Sequence, residues 1–378
     1  MKKNKICFIQ THVPDPRTNK RIKLIKNDLE VSVICTRRKG QNIWEPAFDD
    51  IDYFIFDIDL PGIKHPIKRF FLSRKYQRAA LKKMMSLKPD ILYVGGLDSL
   101  QIVSKYKKKM KDKKVRVLFE VADLRECFIE KPKTLFDRIV KAYILKLERK
   151  LFGMVNHLIL TSNKFFDVHY NELISRERTF YMPNTPDKEV FANYKKKSTG
   201  LFTVGFIGGI RYLEQMKLLV DACSIVGCNV LFAGAGGTTD DYLKITDYCK
   251  GKQNVEFYGK YNYSEEIAKL YGMVDCVYAV YDADNPNVRI ALPNKLYESI
   301  ICELPIIVAK NTYLEELVKY YNVGYSVSHH DVNDLVNVLK ELATGKCHVS
   351  PLSFEMAKED IDINKYNKEL KQIIESSL

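Results

Sequence analysis

No window of the 378-residue chain approaches the roughly 20 consecutive apolar residues that a membrane span needs. The apolar part of the start, Met1 to Gln10, stops after about five residues, too short for a signal peptide. Nine cysteines are scattered with no C-x-x-C and no His-x-Cys clustering, which suggests reduced thiols in a cytosolic protein, neither a disulfide framework nor a zinc site. There is no P-loop, no G-x-S-x-G elbow and no G-x-G-x-x-G. Nothing resembles a helix-turn-helix, zinc-finger or RNP-like motif, so no nucleic-acid partner is expected. Acid is scarce in one place. Between Lys64 and Lys88 there are nine cations, Lys64, Lys68, Arg69, Arg74, Lys75, Arg78, Lys82, Lys83 and Lys88, and no carboxylate.

What is present is apolar enough for two cores: 46% hydrophobic residues and 23 tyrosines rule out disorder. The charge is lopsided. Residues 1–184 hold 39 Lys and Arg against 21 Asp and Glu, and the remainder 21 against 26. With Phe70, Phe71 and Leu72 among its cations, the 64–88 segment suits either a basic amphipathic element on an anionic bilayer or a solvated helix face.

Short apolar runs alternate with helical stretches. Strands are predicted at 6–9, 31–35, 52–56, 90–94, 115–121, 157–161 and 180–184, then at 202–207, 229–237, 255–258, 276–281, 306–309 and 323–327. That alternation argues for parallel, doubly wound sheets. The polar stretch Asn193–Gly200 reads as a linker. The expected organisation is an α/β chain of two Rossmann-like domains, 1–190 and 191–355, followed by a C-terminal helix at 356–378.

The segment Asn287–Ala309 carries the most chemistry. Pro293 suits a first helical turn whose free N–H groups and dipole would attract phosphate, at a strand's carboxyl end where α/β sheets bind ligands. Lys295 and Glu298 share one face. The competing reading is an ordinary crossover helix with an exposed ion pair, contributing roughly 0–1 kcal/mol. Gly208-Gly209-Ile210-Arg211 lets backbone approach a ligand and offers a guanidinium for a diphosphate; a plain turn fits equally well. Gly234–Gly237 is similar. Asp282-Ala283-Asp284 has the spacing of a metal-binding pair, with a solvated turn as the default. His12 is the one histidine placed for acid–base work.

Together these residues resemble the GT-B glycosyltransferases of glycosyltransferase family 4, retaining enzymes of bacterial capsule, O-antigen and exopolysaccharide assembly. Asp15-Pro-Arg17 with Asn19 and Arg21 is similar to the family's D-P-R-x-x-R, and Leu97-Asp98 and Phe119–Arg125 to its acceptor-domain loops. Tyr181–Asn184 is similar to I-P-N, and Phe206–Arg211 to the donor-domain opening. Pro293-Asn294-Lys295-Leu296-Tyr297-Glu298 with Glu303-Leu304-Pro305 closely resembles P-S/N-K-x-x-E…G-x-P. Three positions depart from the pattern: Ile290 stands where the first glutamate of E-x7-E belongs, Glu214-Gln215 replace Lys-Gly, and Ala122 replaces the cleft histidine.

The resemblance implies a C-terminal helix that crosses back to the first domain, and transfer of a sugar from a nucleotide diphosphate donor with retention and no metal or other cofactor. Gly208, Gly209, Arg211, Pro293, Asn294, Lys295 and Glu298 would bind the donor, with Glu298 on the ribose. Asp15, Asp98 and Asp123 would lie near the acceptor, a saccharide carried on a polyprenyl diphosphate at the inner face of the membrane. A nucleotide-sugar 2-epimerase of the same fold and a non-catalytic nucleotide-binding protein are the alternatives.

Overall fold

The computed structural model describes residues 3–376 apart from 38–43, 61–65, 112–113, 125, 131, 133, 198–199 and 237–239. Lys64, Arg125 and Gly237 lie outside the described residues. The chain forms two compact units, residues 1–182 with 364–378, and residues 183–363. The stretch 193–200 expected as a linker falls inside the second unit.

In the first unit the elements run β1 (Lys5–Ile9), α1 (Pro16–Ile25), β2 (Glu30–Thr36), β3 (Asp52–Phe56), α2 (Pro66–Leu87), β4 (Ile91–Gly95) and α3 (Leu97–Met110). They continue with β5 (Arg116–Val121), α4 (Glu126–Ile129), α5 (Leu135–Phe152), β6 (His157–Leu160) and β7 (Thr179–Tyr181). The seven strands are all parallel, in the order β3-β2-β1-β4-β5-β6-β7. Four of the five residues of β1 are buried, as a strand covered on both faces requires. The basic helix α2 packs a stripe of Tyr76, Ala80 and Met84 inward, and the Tyr76 hydroxyl donates to the Gln10 carbonyl at 2.6 Å. Its Phe70 and Phe71 stay exposed.

The second unit contains β8 (Thr203–Ile207), α6 (Leu213–Val226), β9 (Asn229–Ala233), α7 (Asp241–Tyr248), β10 (Val255–Gly259), α8 (Tyr263–Gly272) and β11 (Cys276–Ala279). Then come α9 (Pro286–Ile290), α10 (Asn294–Ile301), β12 (Ile306–Ala309), α11 (Tyr313–Tyr321), β13 (Gly324–Val327), α12 (Val332–Ala343) and α13 (Pro351–Asp360). Its parallel sheet has the order β10-β9-β8-β11-β12-β13, with one apolar core on each face. In both sheets the order reverses beside the first strand of the unit, at β1/β4 and at β8/β11. Such switch points open a crevice at the carboxyl ends of the strands.

The last helix, α14 (Ile363–Glu375), belongs to the first unit from Asn364 onward. Lys371 pairs with Asp28 at 2.9 Å, and the Tyr366 ring meets Tyr181 edge-on at 5.7 Å. No described helix is long and apolar enough to cross a membrane. The described cysteines are all free, and seven of the eight are buried; burial pushes the Cys7 thiol up to about 12.

Candidate functional site

The carboxyl edge of the first sheet holds a charge network built on α1. Asp15 caps the helix, its carboxylate accepting from the Thr18 N–H at 2.8 Å, and Pro16 occupies the first turn. Arg17 and Arg21, four apart, lie on one helix face. Both reach Glu120 in β5 at 3.4 Å, and Tyr93 of β4 donates to the same carboxylate at 2.6 Å. Arg17 also pairs with Asp15 at 3.2 Å, and its charge is further stabilised by Asp123. The structure therefore brings Asp15 and Asp123 together around Arg17. Asp98 stands apart: on the first turn of α3, it accepts from Arg69 of α2 at 2.7 Å. His12 turns Nδ1 to the Val13 carbonyl at 2.8 Å. Glu120 was not singled out from the sequence, although one acid inside the apolar run Val117–Val121 is the signal of a buried, partnered carboxylate.

In the second unit the chain leaves β8 at Gly208, whose φ of 133° favours glycine. Gly208 donates its N–H to the Ala233 carbonyl at 2.8 Å. A Cβ on Gly234 would come within 1.9 Å of the Gly208 carbonyl oxygen, so the turns after β8 and β9 are wedged together. A Cβ on Gly208 would lie 3.0 Å from Lys295 Nζ. The glycine thus leaves the space that the lysine fills.

Lys295 enters from the first turn of α10 and is only 7% exposed. Its ammonium donates to the Tyr281 hydroxyl at 3.0 Å and lies 4.4 Å from the centre of the Phe206 ring. Among the described residues no carboxylate lies within ion-pair distance of it. Pro293 is the N-cap of α10, one residue before the first-turn place expected of it, and supplies no side-chain cap. The first N–H groups of the helix are left for other partners. Asn294 begins the helix and accepts from Asn184 at 2.7 Å. Arg211 is exposed, three residues beyond Gly208, with its guanidinium 5.3 Å from the Tyr212 ring.

Glu298 does not share these surroundings, although it is three residues from Lys295. Its two carboxylate oxygens accept from Tyr263 at 2.7 Å and Tyr271 at 2.6 Å, and it is 3% exposed. Burial and the facing carboxylate push both phenols up. The pair expected on one surface is instead two buried charges with different partners. The short helix α9, started by the Asn285 side chain and Pro286, replaces the loop expected before Ala291, and Ile290 ends it. Asp282 and Asp284 lie against His329 and His330.

Residues 202–344 match the family model for Glycosyl transferases group 1. That span covers β8 to α12, with every residue of the Gly208–Lys295 arrangement except Asn184. Across nearly its whole length the chain is similar in fold to sucrose-phosphate synthase from Thermosynechococcus elongatus, with TM-score 0.75, 13% identity and 99% of each chain covered. It is similar also to Anabaena HepE in complex with UDP, with TM-score 0.68, 15% identity and 99% and 100% of the two chains covered. A third such structure is WaaG, a glycosyltransferase involved in lipopolysaccharide biosynthesis, at TM-score 0.69 and 12% identity over 98% and 99%. Curated proteins give no match by sequence. The fold is GT-B.

Burial alone would raise the Asp15 carboxyl, but Arg17 and the Thr18 N–H outweigh it and hold it below the usual carboxylate value. A depressed folded value means stability that is complete above the ordinary unfolded value, about 4, and lost as pH falls through the folded one. Asp15→Asn keeps a capping oxygen but not the charge. Thermal midpoints should therefore show the variant below the parent at neutral pH and the two converging at pH values below about 4. Equal midpoints at all pH values would remove the structural role.

Proposed function

We propose that the chain is a glycosyltransferase that transfers a sugar, with retention, from a nucleotide diphosphate donor to a saccharide acceptor in bacterial surface-polysaccharide assembly. The observation that carries the reading is the buried Lys295 ammonium, held by a hydroxyl and an aromatic ring and facing no carboxylate. A diphosphate at the carboxyl edge of the second sheet supplies the missing anion. The uncapped start of α10 and the Gly208-Gly209 turn add backbone N–H groups, and Arg211 a second cation. The group 1 match over this unit and the fold shared with HepE, which is described with UDP, support the same donor class.

Catalysis follows from charge. As the bond from the anomeric carbon to the diphosphate oxygen breaks, negative charge grows on the leaving group, and Lys295 stabilises it from a dry, fixed position. Glu298 acts through its two tyrosines, which hold α10 and so fix where Lys295 starts. Asp15, Asp98 and Asp123, acidic groups on the edge of the first sheet, are assigned to the acceptor. A panel of UDP, GDP, CMP and TDP sugars, read by thermal shift, should single out one donor. Lys295→Ala should weaken it by about 10- to 100-fold, the worth of a charge-assisted hydrogen bond. Unchanged affinity would overturn the diphosphate assignment. Turnover of the nucleotide sugar without acceptor would favour the epimerase reading, and binding without transfer or hydrolysis the non-catalytic one.

The first unit favours an acceptor held at an anionic membrane surface. On α2, Lys68, Lys75, Arg78 and Lys82 have no carboxylate partner among the described residues, beside exposed Phe70 and Phe71. Helix α5 adds exposed Leu135, Phe136, Ile139 and Tyr143. Each cation near such a surface contributes about 1 kcal/mol. The protein should float with vesicles rich in anionic lipid and not with neutral ones, and replacing the four cations by glutamine should abolish flotation. Flotation indifferent to lipid charge would contradict it.

A further inference from the structure

Outside the Gly208–Lys295 arrangement, the second unit gathers four metal-ligating side chains from two loops. Asp282 and Asp284 follow β11, and His329 and His330 follow β13, two strands away in the sheet. One ligand atom from each lies within 4.8 Å of the others. His329 Nε2 is 3.6 Å from Asp282 Oδ1 and 3.7 Å from Asp284 Oδ2, and His330 Nε2 is 3.1 Å from Asp284 Oδ2.

The distances discriminate between an ion pair and a metal cage. At 3.6 and 3.7 Å the His329 contacts are too long for hydrogen bonds, and its Nε2, shut off from solvent, has no hydrogen-bond partner. A buried ring nitrogen without a partner is costly. Four-coordinate zinc binds imidazole nitrogen and carboxylate oxygen at 2.0–2.2 Å, which sets neighbouring ligand atoms about 3.3–3.6 Å apart. The three separations bracket that edge length and need shifts of only tenths of an ångström. The imidazole rings lie with centroids 3.8 Å apart. One divalent ion takes both ring lone pairs and offsets both carboxylates. The nearest competing cation, Arg289 Nη2, is 3.9 Å from Asp284 Oδ1 and reaches only that carboxylate.

The ligands are also held in advance. The His329 carbonyl accepts from buried Gln215 of α6 at 3.1 Å, and the Asp284 N–H donates to Asp282 Oδ1 at 3.0 Å. We propose that Asp282, Asp284, His329 and His330 form a binding site for a divalent transition-metal ion of the zinc class. The ion ties the loop after β11 to the loop after β13. Tyr281, the hydroxyl partner of Lys295, is the residue before Asp282, so the tie also steadies the buried lysine. The ion acts as a clip and takes no part in the transfer.

The test is a Co2+ titration of the full-length, untagged protein after chelation, read by the visible absorption of four-coordinate cobalt, with Zn2+ as competitor. One equivalent should bind, be displaced by Zn2+ and raise the thermal midpoint. Asp282→Asn and His330→Gln, the latter at an exposed position, should each weaken binding by about tenfold or more. Circular dichroism shows whether the variants are folded. Absence of saturable binding to the parent overturns the proposal. So does binding retained in a folded His329→Ala/His330→Gln double variant, or a thiolate-to-cobalt absorption that places the ion on cysteine.

Discussion

A lysine ammonium taken out of water without a carboxylate is the constraint around which the second unit is arranged. Ionised ammonium loses several kcal/mol of hydration on burial, and a hydroxyl and an aromatic face return only part of that, about 2 kcal/mol for the ring. The local structure serves to keep Lys295 there. Gly208 leaves the space, Gly234 lets the neighbouring turn pack against it, Phe206 and Tyr281 line it, and α10 presents the lysine from its first turn. Glu298, three residues on, is bound by Tyr263 and Tyr271 and so is withheld from neutralising it.

The first unit shows the opposite economy of charge. Half-buried Arg17 pairs with Glu120 and Asp15, buried Arg21 pairs with Glu120, Tyr93 donates to the same carboxylate, and Asp98 has Arg69, although the Nε of each of the first two arginines makes no hydrogen bond. Cations paired with carboxylates in this way stabilise and orient a loop edge; a buried ammonium facing no carboxylate has charge left for a ligand. In the proposed function, that difference puts the anion at the second unit and leaves the first with the acids and a cationic, partly apolar exterior.

Much of the fold was legible because both sheets are parallel and covered on both faces, so strands such as Ile306–Ala309 stand out as unbroken apolar runs between helical stretches. The return of α14 to the first unit followed from the resemblance to GT-B enzymes. Position in the sequence made Lys295, Glu298 and the Gly208-Gly209 turn candidates, but it did not show their partners. Spacing put Lys295 and Glu298 on one face, which left an exposed ion pair open as the competing reading; the tyrosines that hold Glu298 come from α8, some 30 residues earlier in the chain. The passage between units lies at Met182–Pro183, whereas Asn193–Gly200, which looks like a linker, is part of the second unit. The approach of His329 and His330 to Asp282 and Asp284 joins loops two strands apart, which no local pattern encodes.

The most direct test is the stability of Lys295→Met without nucleotide, beside the parent with and without its donor. Methionine fills a similar volume and removes the charge. If Lys295 is a buried cation held for a diphosphate, the variant unfolds at a higher temperature than the ligand-free parent and gains less from the same donor concentration than the parent does, as stability traded for function requires. A variant that unfolds at a lower temperature than the ligand-free parent, or that is still stabilised by donor to the parent's extent, would contradict it.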